Sequence, residues 1–392
     1  MNLSEGLQGK TQTTWLSVVG ARPQFVKLAP VCRAIDRHNA ENRLPFIQHR
    51  IIHTGQHYER EIAEVLFEQL LLPSPDHNLG VGSSSPGMQL ARMLQRMEPL
   101  LREEPIDWMM VYGDTNSTLA GALLASRLNI PLAHVEAGCR SGDITQPEEQ
   151  NRVIADHLSQ LLLVPSRAAL CNLRREGIGA EGDPRPRRTI FAGDVMYDSI
   201  LQHLPVAEKA TEKNLRELGL TTKGYYLLTL HRAENTNRQR LASILRGAGN
   251  LDLPVLFPVH PRTRNLLAAS GIPLNGRIKQ VPPLGFLEMI SMVKNAAKIL
   301  TDSGGVQKDA FYLRVPCVTL RSTTEWPETV ECGANRVAGT EPDSIVRAVR
   351  ENHAEDWSQL TPYGDGNSAT KIVAEMLAPV VPEPLPVVPP LQ

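Results

Sequence analysis

Short apolar runs, each stopping in a polar or glycine-rich turn, alternate with helical patterns along nearly the whole chain. No other feature limits the fold so strongly. Trp15–Val19, Phe46–His53, the run ending at Tyr112, Pro131–Val135, Leu161–Val164 and Thr189–Phe191 read as strands of a first half. Tyr225–Leu230, Val255–Val259, Ile278–Val281, Ile299–Thr301 and Cys317–Leu320 read as strands of a second. Strand–helix alternation through both halves predicts an α/β chain of two Rossmann-like domains with parallel sheets. At 392 residues the chain also exceeds what one core usually supports. The expected division is 1–198 and 199–365. A helix near 366–378 is a candidate to pack back on the first domain, and the proline-rich tail 379–392 is expected to be disordered. Asp198 to Gly224, mostly polar, reads as a linker plus the first helix of the second domain.

Charge excludes one broad class. With 41 basic and 42 acidic residues the formal net charge is −1, which argues against a nucleic-acid or general polyanion binder but leaves room for a local phosphate site. No apolar run approaches the ~20 residues that span a bilayer, so no membrane partner is expected. The first residues, Met1 to Thr14, are polar and lack the apolar middle of a signal peptide, so a cytoplasmic protein is expected. Five scattered cysteines (Cys32, Cys139, Cys171, Cys317, Cys332) form no CxxC pair and read as reduced thiols. Cys139 has no neighbouring sequence that argues for a nucleophile.

The turns after the strands hold the candidate chemistry, because ligands of open α/β sheets bind outside the carboxyl ends of the strands. Asp114, Glu136 and Glu148 each fall where an element ends or begins, which gathers three carboxylates on one edge. Gly20-Ala21-Arg22-Pro23 turns the first strand into a helix, with Pro23 suited to the first helical turn. Arg22 and Lys27 then lie at or just inside a helix N-terminus, placed for an anion or, alternatively, on a solvated face. The second strand ends in Thr54-Gly55-Gln56-His57-Tyr58, again in the ligand-facing position. Gly80–Gly87 follows no evident strand and reads as a flexible crossover and candidate lid before the helix Met88–Glu104.

Asp302-Ser303-Gly304-Gly305-Val306-Gln307 is the clearest phosphate signal in the second half. A strand ends, glycines let the backbone approach a ligand, and a helix begins with free N–H groups and the Ser303 hydroxyl. With Arg22 and Lys27 from the first half, it suggests a diphosphate in the interdomain cleft. Asp309 in the same helix either caps it or accepts from ribose hydroxyls. His231-Arg232 and His260-Pro261-Arg262 follow strands, and Arg321 follows another; His231 can hydrogen-bond a phosphate or act in proton transfer. Two histidines at strand ends hint at a metal, but acidic ligands at suitable spacing are missing. Gly9-Lys10-Thr11 precedes the first strand and lacks the earlier glycine of a phosphate loop, and no GxGxxG follows a strand, which weakens any reading that needs a nicotinamide.

In order and spacing, Gly20-Ala21-Arg22-Pro23, His53-Thr54-Gly55-Gln56-His57, Tyr112-Gly113-Asp114-Thr115, His134-Val135-Glu136-Ala137-Gly138, Pro147-Glu148-Glu149, His231-Arg232-Ala233-Glu234-Asn235, His260-Pro261-Arg262 and the Asp302 to Gln307 turn resemble one family. That family is the non-hydrolysing UDP-N-acetylglucosamine 2-epimerases, and the likeness runs from Leu16 to about Gly333. The resemblance implies the two-domain fold of GT-B glycosyltransferases, an active site in the interdomain cleft, a homodimer, a UDP-sugar substrate, and neither metal nor nicotinamide cofactor. It also implies essential roles for Asp114, Glu136, Glu148 and His231. Substrate and diphosphate contacts would come from Arg22, Lys27, Arg152, Ser303, Gly304 and Gly305, with Gln56, His57, Arg232, Arg262, Asp309 and Arg321 as further substrate-binding candidates.

Two positions depart from the pattern. Asp309 stands where the family commonly has the longer Glu, and Gly55 to Glu59 does not match the Gln-rich segment of members activated by their own substrate. Ala21-Arg22-Pro23-Gln24-Phe25 is similar to the branch acting on diacetamido-uronic acid nucleotides, and galacto-configured substrates stay open. A GT-B glycosyltransferase, a hydrolysing epimerase and a non-catalytic nucleotide-sugar sensor are the competing readings.

Overall fold

The computed structural model describes residues 10–56, 66–180, 182–183, 185, 187–230, 232, 234–235, 237–259, 261–272, 274, 276–351, 356–357 and 359–378. His57, His231, His260 and the proline-rich tail therefore lie outside the described residues, as does the side chain of Arg262. The chain divides into two compact units, one drawn from Met1–Ser199 and Pro362–Gln392, the other from Ile200–Thr361.

The first unit contains the strands β1 (Gln12–Val19), β2 (Phe46–His53), β3 (His77–Asn78), β4 (Trp108–Tyr112), β5 (Leu132–Val135), β6 (Leu161–Val164) and β7 (Arg188–Phe191). Its helices are α1 (Arg22–Ala40), α2 (Pro86–Leu101), α3 (Asn116–Leu128), α4 (Pro147–Leu158), α5 (Arg167–Arg175) and α6 (Val195–Lys209), the last running on into the second unit. The strands pair in parallel in the order β3-β2-β1-β4-β5-β6-β7. Every residue of β4, β5 and β6 is buried, as a parallel sheet covered on both faces requires. Val18, Met109 and Val111 from the sheet pack with Met93 and Met97 of α2 and Ala120 and Leu124 of α3.

The second unit holds α7 (Thr211–Glu217), β8 (Tyr226–Thr229), α8 (Arg238–Gly249), β9 (Val255–Pro258), α9 (Pro261–Ser270), β10 (Ile278–Val281), α10 (Phe286–Asn295), β11 (Lys298–Thr301), α11 (Gly304–Tyr312), β12 (Cys317–Thr319), α12 (Pro327–Glu331), β13 (Asn335–Val337) and α13 (Pro342–Arg350). Its parallel sheet runs β10-β9-β8-β11-β12-β13. Leu228, Phe257, Leu300 and Val318 of that sheet share a core with Leu241 and Ile244 of α8 and Ile345 of α13. The strand order reverses between β1 and β4 in one sheet and between β8 and β11 in the other. Each reversal splays two adjacent strand-end loops apart and opens a crevice at that edge.

A last helix, α14 (Ser368–Leu377), returns to the first unit and packs on α1. Its first N–H groups have no intrahelical acceptor, and the buried Asp198 supplies one: Ser368 N and Ala369 N donate to its carboxylate at 3.1 and 2.7 Å. Gly193 makes room for this return. At φ +92, a Cβ there would lie 2.9 Å from the Tyr363 carbonyl oxygen.

Three sequence expectations are corrected. The edge strands β3 and β13 were not anticipated, because a two- or three-residue edge pairing needs no run of apolar side chains. Gly80–Gly87 therefore does follow a strand. It is also no loose crossover, since Val81 N and Gly82 N donate to the Thr54 and Gly55 carbonyls at 3.1 and 2.8 Å, and Leu79 and Val81 are buried. The segment from Asp198 is helical across the division between units, where a linker ahead of the second domain's first helix was expected.

Candidate active site

At the strand reversal of the first unit, Arg22 begins α1 just after β1 and the turn after β4 carries Asp114, while Glu136 follows β5 and Glu148 lies in the first turn of α4. Lys27, one turn into α1, is 7% exposed and donates to Glu136 Oε1 at 2.6 Å. Burying either charge alone would cost several kcal/mol, and breaking such a pair by deleting one partner costs about 3–5 kcal/mol. Glu136 occupies φ +73, a left-handed conformation costly for a side-chain-bearing residue and of the kind that clusters at functional sites. Gly113 lies against the pair. Its φ of +63 lies in the left-handed region that favours glycine, and a Cβ there would sit 2.8 Å from Lys27 Nζ and 3.3 Å from Glu136 Oε1, pressing on the pair.

Asp114 is bound by Arg152, whose other terminal nitrogen donates to Glu149 Oε2 at 2.9 Å. The paired carboxylates hold the Arg152 guanidinium well above its ordinary range, against the opposing effect of its burial. Arg152 is thus spent on positioning Asp114, a use the sequence did not suggest. Asn151 fixes the same turn from α4, donating to the Asp114 carbonyl at 2.9 Å and to Asn116 Oδ1 at 3.2 Å. Glu148, in the first turn of α4, is exposed, while its neighbour Glu149 is buried and accepts from Ser141 N, Ser141 Oγ and Gly142 N at 2.9, 3.0 and 3.1 Å. Of two adjacent glutamates, one ties down a loop and the other is presented.

Polar side chains that no local pattern announced complete the scaffold. Gln24 Oε1 accepts from Gly20 N and Ala21 N at 2.8 and 3.1 Å, satisfying backbone donors at the start of α1, while its amide donates to the Tyr112 carbonyl at 2.9 Å. Gln56, a substrate-binding candidate, uses its side-chain oxygen internally, accepting from Ser117 N and Oγ at 3.2 and 2.8 Å. Arg22 is the exposed first residue of α1.

In the second unit, Ser303 caps α11, its hydroxyl accepting from Val306 N at 3.4 Å, and Ser303 N donates to Thr301 Oγ1 at 2.9 Å. Asp309 does not cap: it sits beyond the first turn, which contains no acidic residue. Buried Asp302 braces the turn by accepting from Arg232 N and Asn235 Nδ2, both at 3.1 Å. Arg321 donates from Nη1 to both Glu325 oxygens at 2.9 and 2.7 Å, and Arg232 approaches the same carboxylate at 3.5 Å. Burial pushes the Glu325 carboxyl up, but Arg321 outweighs it and holds the group below the usual range. Behind the turn, Lys308 lies 4.1 Å from the Trp326 ring centroid, and a Cβ on Gly304 would come within 3.1 Å of Trp326 Nε1. Among the described residues no three of His, Cys, Asp or Glu converge as metal ligands.

The structure thus brings Lys27, Asp114, Glu136, Glu148 and Arg152 to one edge of the first unit, and Arg232, Ser303, Gly304, Gly305 and Arg321 to one edge of the second. A family model described as UDP-N-acetylglucosamine 2-epimerase matches residues 39–377. The chain belongs to that family. A UDP-N-acetylglucosamine 2-epimerase homolog of Methanococcus maripaludis is 46% identical over 364 residues, covering 91% of this chain and 98% of the relative. The UDP-2,3-diacetamido-2,3-dideoxy-D-glucuronate 2-epimerase of Pseudomonas aeruginosa is 42% identical, covering 93% and 99%. The crystal structure of the Methanocaldococcus jannaschii UDP-GlcNAc 2-epimerase in complex with UDP-GlcNAc and UDP matches with TM-score 0.81 at 40% identity, over 93% of this chain and 99% of that one. The fold class expected from the sequence, α/β with two parallel-sheet Rossmann-like units of GT-B type, holds. An epimerase of this family is an isomerase. No helix among the described residues is long and apolar enough to cross a membrane.

Proposed function

We propose that this chain reversibly inverts C2 of a UDP-N-acetylhexosamine, by eliminating UDP to a 2-acetamidoglucal and adding it back. The observation that carries the reading is the ion-paired carboxylate cluster, Glu136 with Lys27 and Asp114 with Arg152, at the strand reversal of a chain of this family. The substrate is UDP-N-acetylglucosamine or a modified analogue, either diacetamido-uronic or galacto-configured. The protein would work as a cytoplasmic homodimer without a metal or nicotinamide.

The C2–H bond is not next to a carbonyl and is hardly acidic. Loosening the C1–O bond first builds positive charge on the ring and makes the C2 proton removable. In this reading the turn Ser303-Gly304-Gly305 receives the departing diphosphate, with Arg22, Lys27, Arg232 and His231 adding positive or hydrogen-bonding groups and Asp309 accepting from the ribose. Donors already aimed at developing charge are worth about 3–4 kcal/mol each. Asp114, Glu136 and Glu148 stabilise the ring cation and exchange the proton. Inversion needs a proton removed from one face and delivered to the other, so more than one acid/base group is needed. Water must be kept out while the glycal exists, because it would trap the intermediate as free sugar.

Proton NMR with UDP-N-acetylglucosamine in heavy water tests this. The reading predicts deuterium at C2 and a mixture of two UDP-sugars. Stoichiometric UDP with free N-acetylmannosamine would mean a hydrolysing enzyme, and binding without exchange would mean a sensor. Running the same assay on diacetamido-uronic and galacto-configured UDP-sugars ranks the substrates.

A further inference from the structure

Behind the carboxylate loops lies a buried polar chain that the proposed chemistry does not use. His134, on β5, is 0% exposed, and its Nε2 lies 2.8 Å from the Gly113 carbonyl oxygen. Its Nδ1 lies 2.6 Å from Oδ1 of Asp156, on α4 and also 0% exposed. A carbonyl can only accept, so the Nε2–H donates to Gly113. The other oxygen of Asp156 accepts from Gly138 N at 3.0 Å and from Arg140 Nη1 at 2.7 Å. Arg140 continues outward to Glu176, with two bonds of 2.7 Å. Burial alone would raise the Asp156 carboxyl, but His134 and Arg140 outweigh it and keep the group below the ordinary range, hence ionised.

The topology makes this chain more than a filled core position. Gly113 directly precedes Asp114, Gly138 stands two residues after Glu136, and Asp156 lies two turns along the helix that opens with Glu148. One buried carboxylate therefore holds the β4 turn through His134, the β5 turn directly, and the helix carrying the third acid covalently. We infer that His134 and Asp156 are positioning residues of the epimerase site, setting the mutual placement of Asp114, Glu136 and Glu148. The assignment rests on the epimerase reading for its consequence but not for its geometry.

Asp156→Leu is the sharp variant, because it removes both acceptors at once, whereas an amide could still donate to a neutral His134 and accept from Gly138. His134→Gln, which leaves Asp156 with its Gly138 and Arg140 donors, carries the same test should the first variant not fold. Both are made in the full chain and measured with UDP-N-acetylglucosamine. A misplacement of about 1 Å at a reacting group costs about 100-fold in rate, so kcat should fall by about that factor with KM held within about threefold. Amide exchange should quicken in the 113–116 and 136–141 segments while β4 and β6 stay protected. An unchanged kcat, a loss confined to KM, or unaltered exchange in the two turns overturns the assignment. Absence of C2 exchange in the unmutated protein would instead count against the epimerase reading, and the amide-exchange arm would still decide the positioning claim.

Discussion

The two units share a strand order through their first six strands in space, β3-β2-β1-β4-β5-β6 against β10-β9-β8-β11-β12-β13, yet the equivalent edges hold opposite chemistry. After β4 the first unit places Asp114 in a turn fastened by Arg152 and Asn151. After β11, the corresponding strand, the second unit places Ser303 and two glycines at a helix start, with the acid of that turn, Asp302, buried as a brace. One edge presents carboxylates whose cations come from neighbouring elements; the other presents N–H groups whose nearby arginines, Arg232 and Arg321, meet Glu325. The lesson is that the scaffold fixes where a ligand meets the sheet, while the loop residues decide whether protons or phosphates are handled there.

That contrast yields graded expectations. Asp114→Asn should give the largest effect, lowering C2 deuterium uptake by about 10³-fold or more, since a positioned acid or base contributes about 10²–10⁴-fold. UDP affinity, measured by calorimetry, should stay within a few-fold; full retained exchange would break the division of labour. Ser303→Ala should act on UDP affinity, which Asp114→Asn spares. Loss of a hydroxyl donor to a charged group, worth about 1.5–3 kcal/mol, should weaken UDP binding about tenfold or more, with saturating turnover falling as well because the departing diphosphate loses a donor. A fall confined to kcat would erase the distinction between the units.

The smallest effect concerns acid stability. The folded Asp156 carboxyl lies below its unfolded value, so its stabilisation is fully present above the ordinary carboxylate range and is lost as pH falls through that range toward the folded value. In Asp156→Asn the unfolding midpoint should therefore vary less between neutral and acid pH than in the unmutated chain. An equal slope in both would show that the buried carboxylate contributes nothing to acid sensitivity.

Much of this was legible in the sequence for a physical reason. Central parallel strands are buried on both faces, so Trp108–Tyr112 and Leu161–Val164 are continuous apolar runs that announce themselves, and the polar turns after them mark the sheet edge. Edge strands β3 and β13 bury little and left no such trace. The presentation of Glu148 and the burial of Glu149 could not be separated from composition, because the difference lies in whether Ser141 and Gly142 reach back to α4. His134 and Asp156 are 22 positions apart and join elements that neither names locally. The bond from Arg152 to Asp114 left no trace in the sequence, since a guanidinium's partner depends on three-dimensional placement.

The claim on which the account depends is that the C1–O bond opens before C2 inverts. UDP-N-acetylglucosamine carrying oxygen-18 in the bridge between C1 and the β-phosphorus tests this directly by phosphorus NMR. The account predicts that, during epimerisation, the label spreads from the bridge into the non-bridging β-phosphate oxygens. Epimerisation with the label held wholly in the bridge would contradict it.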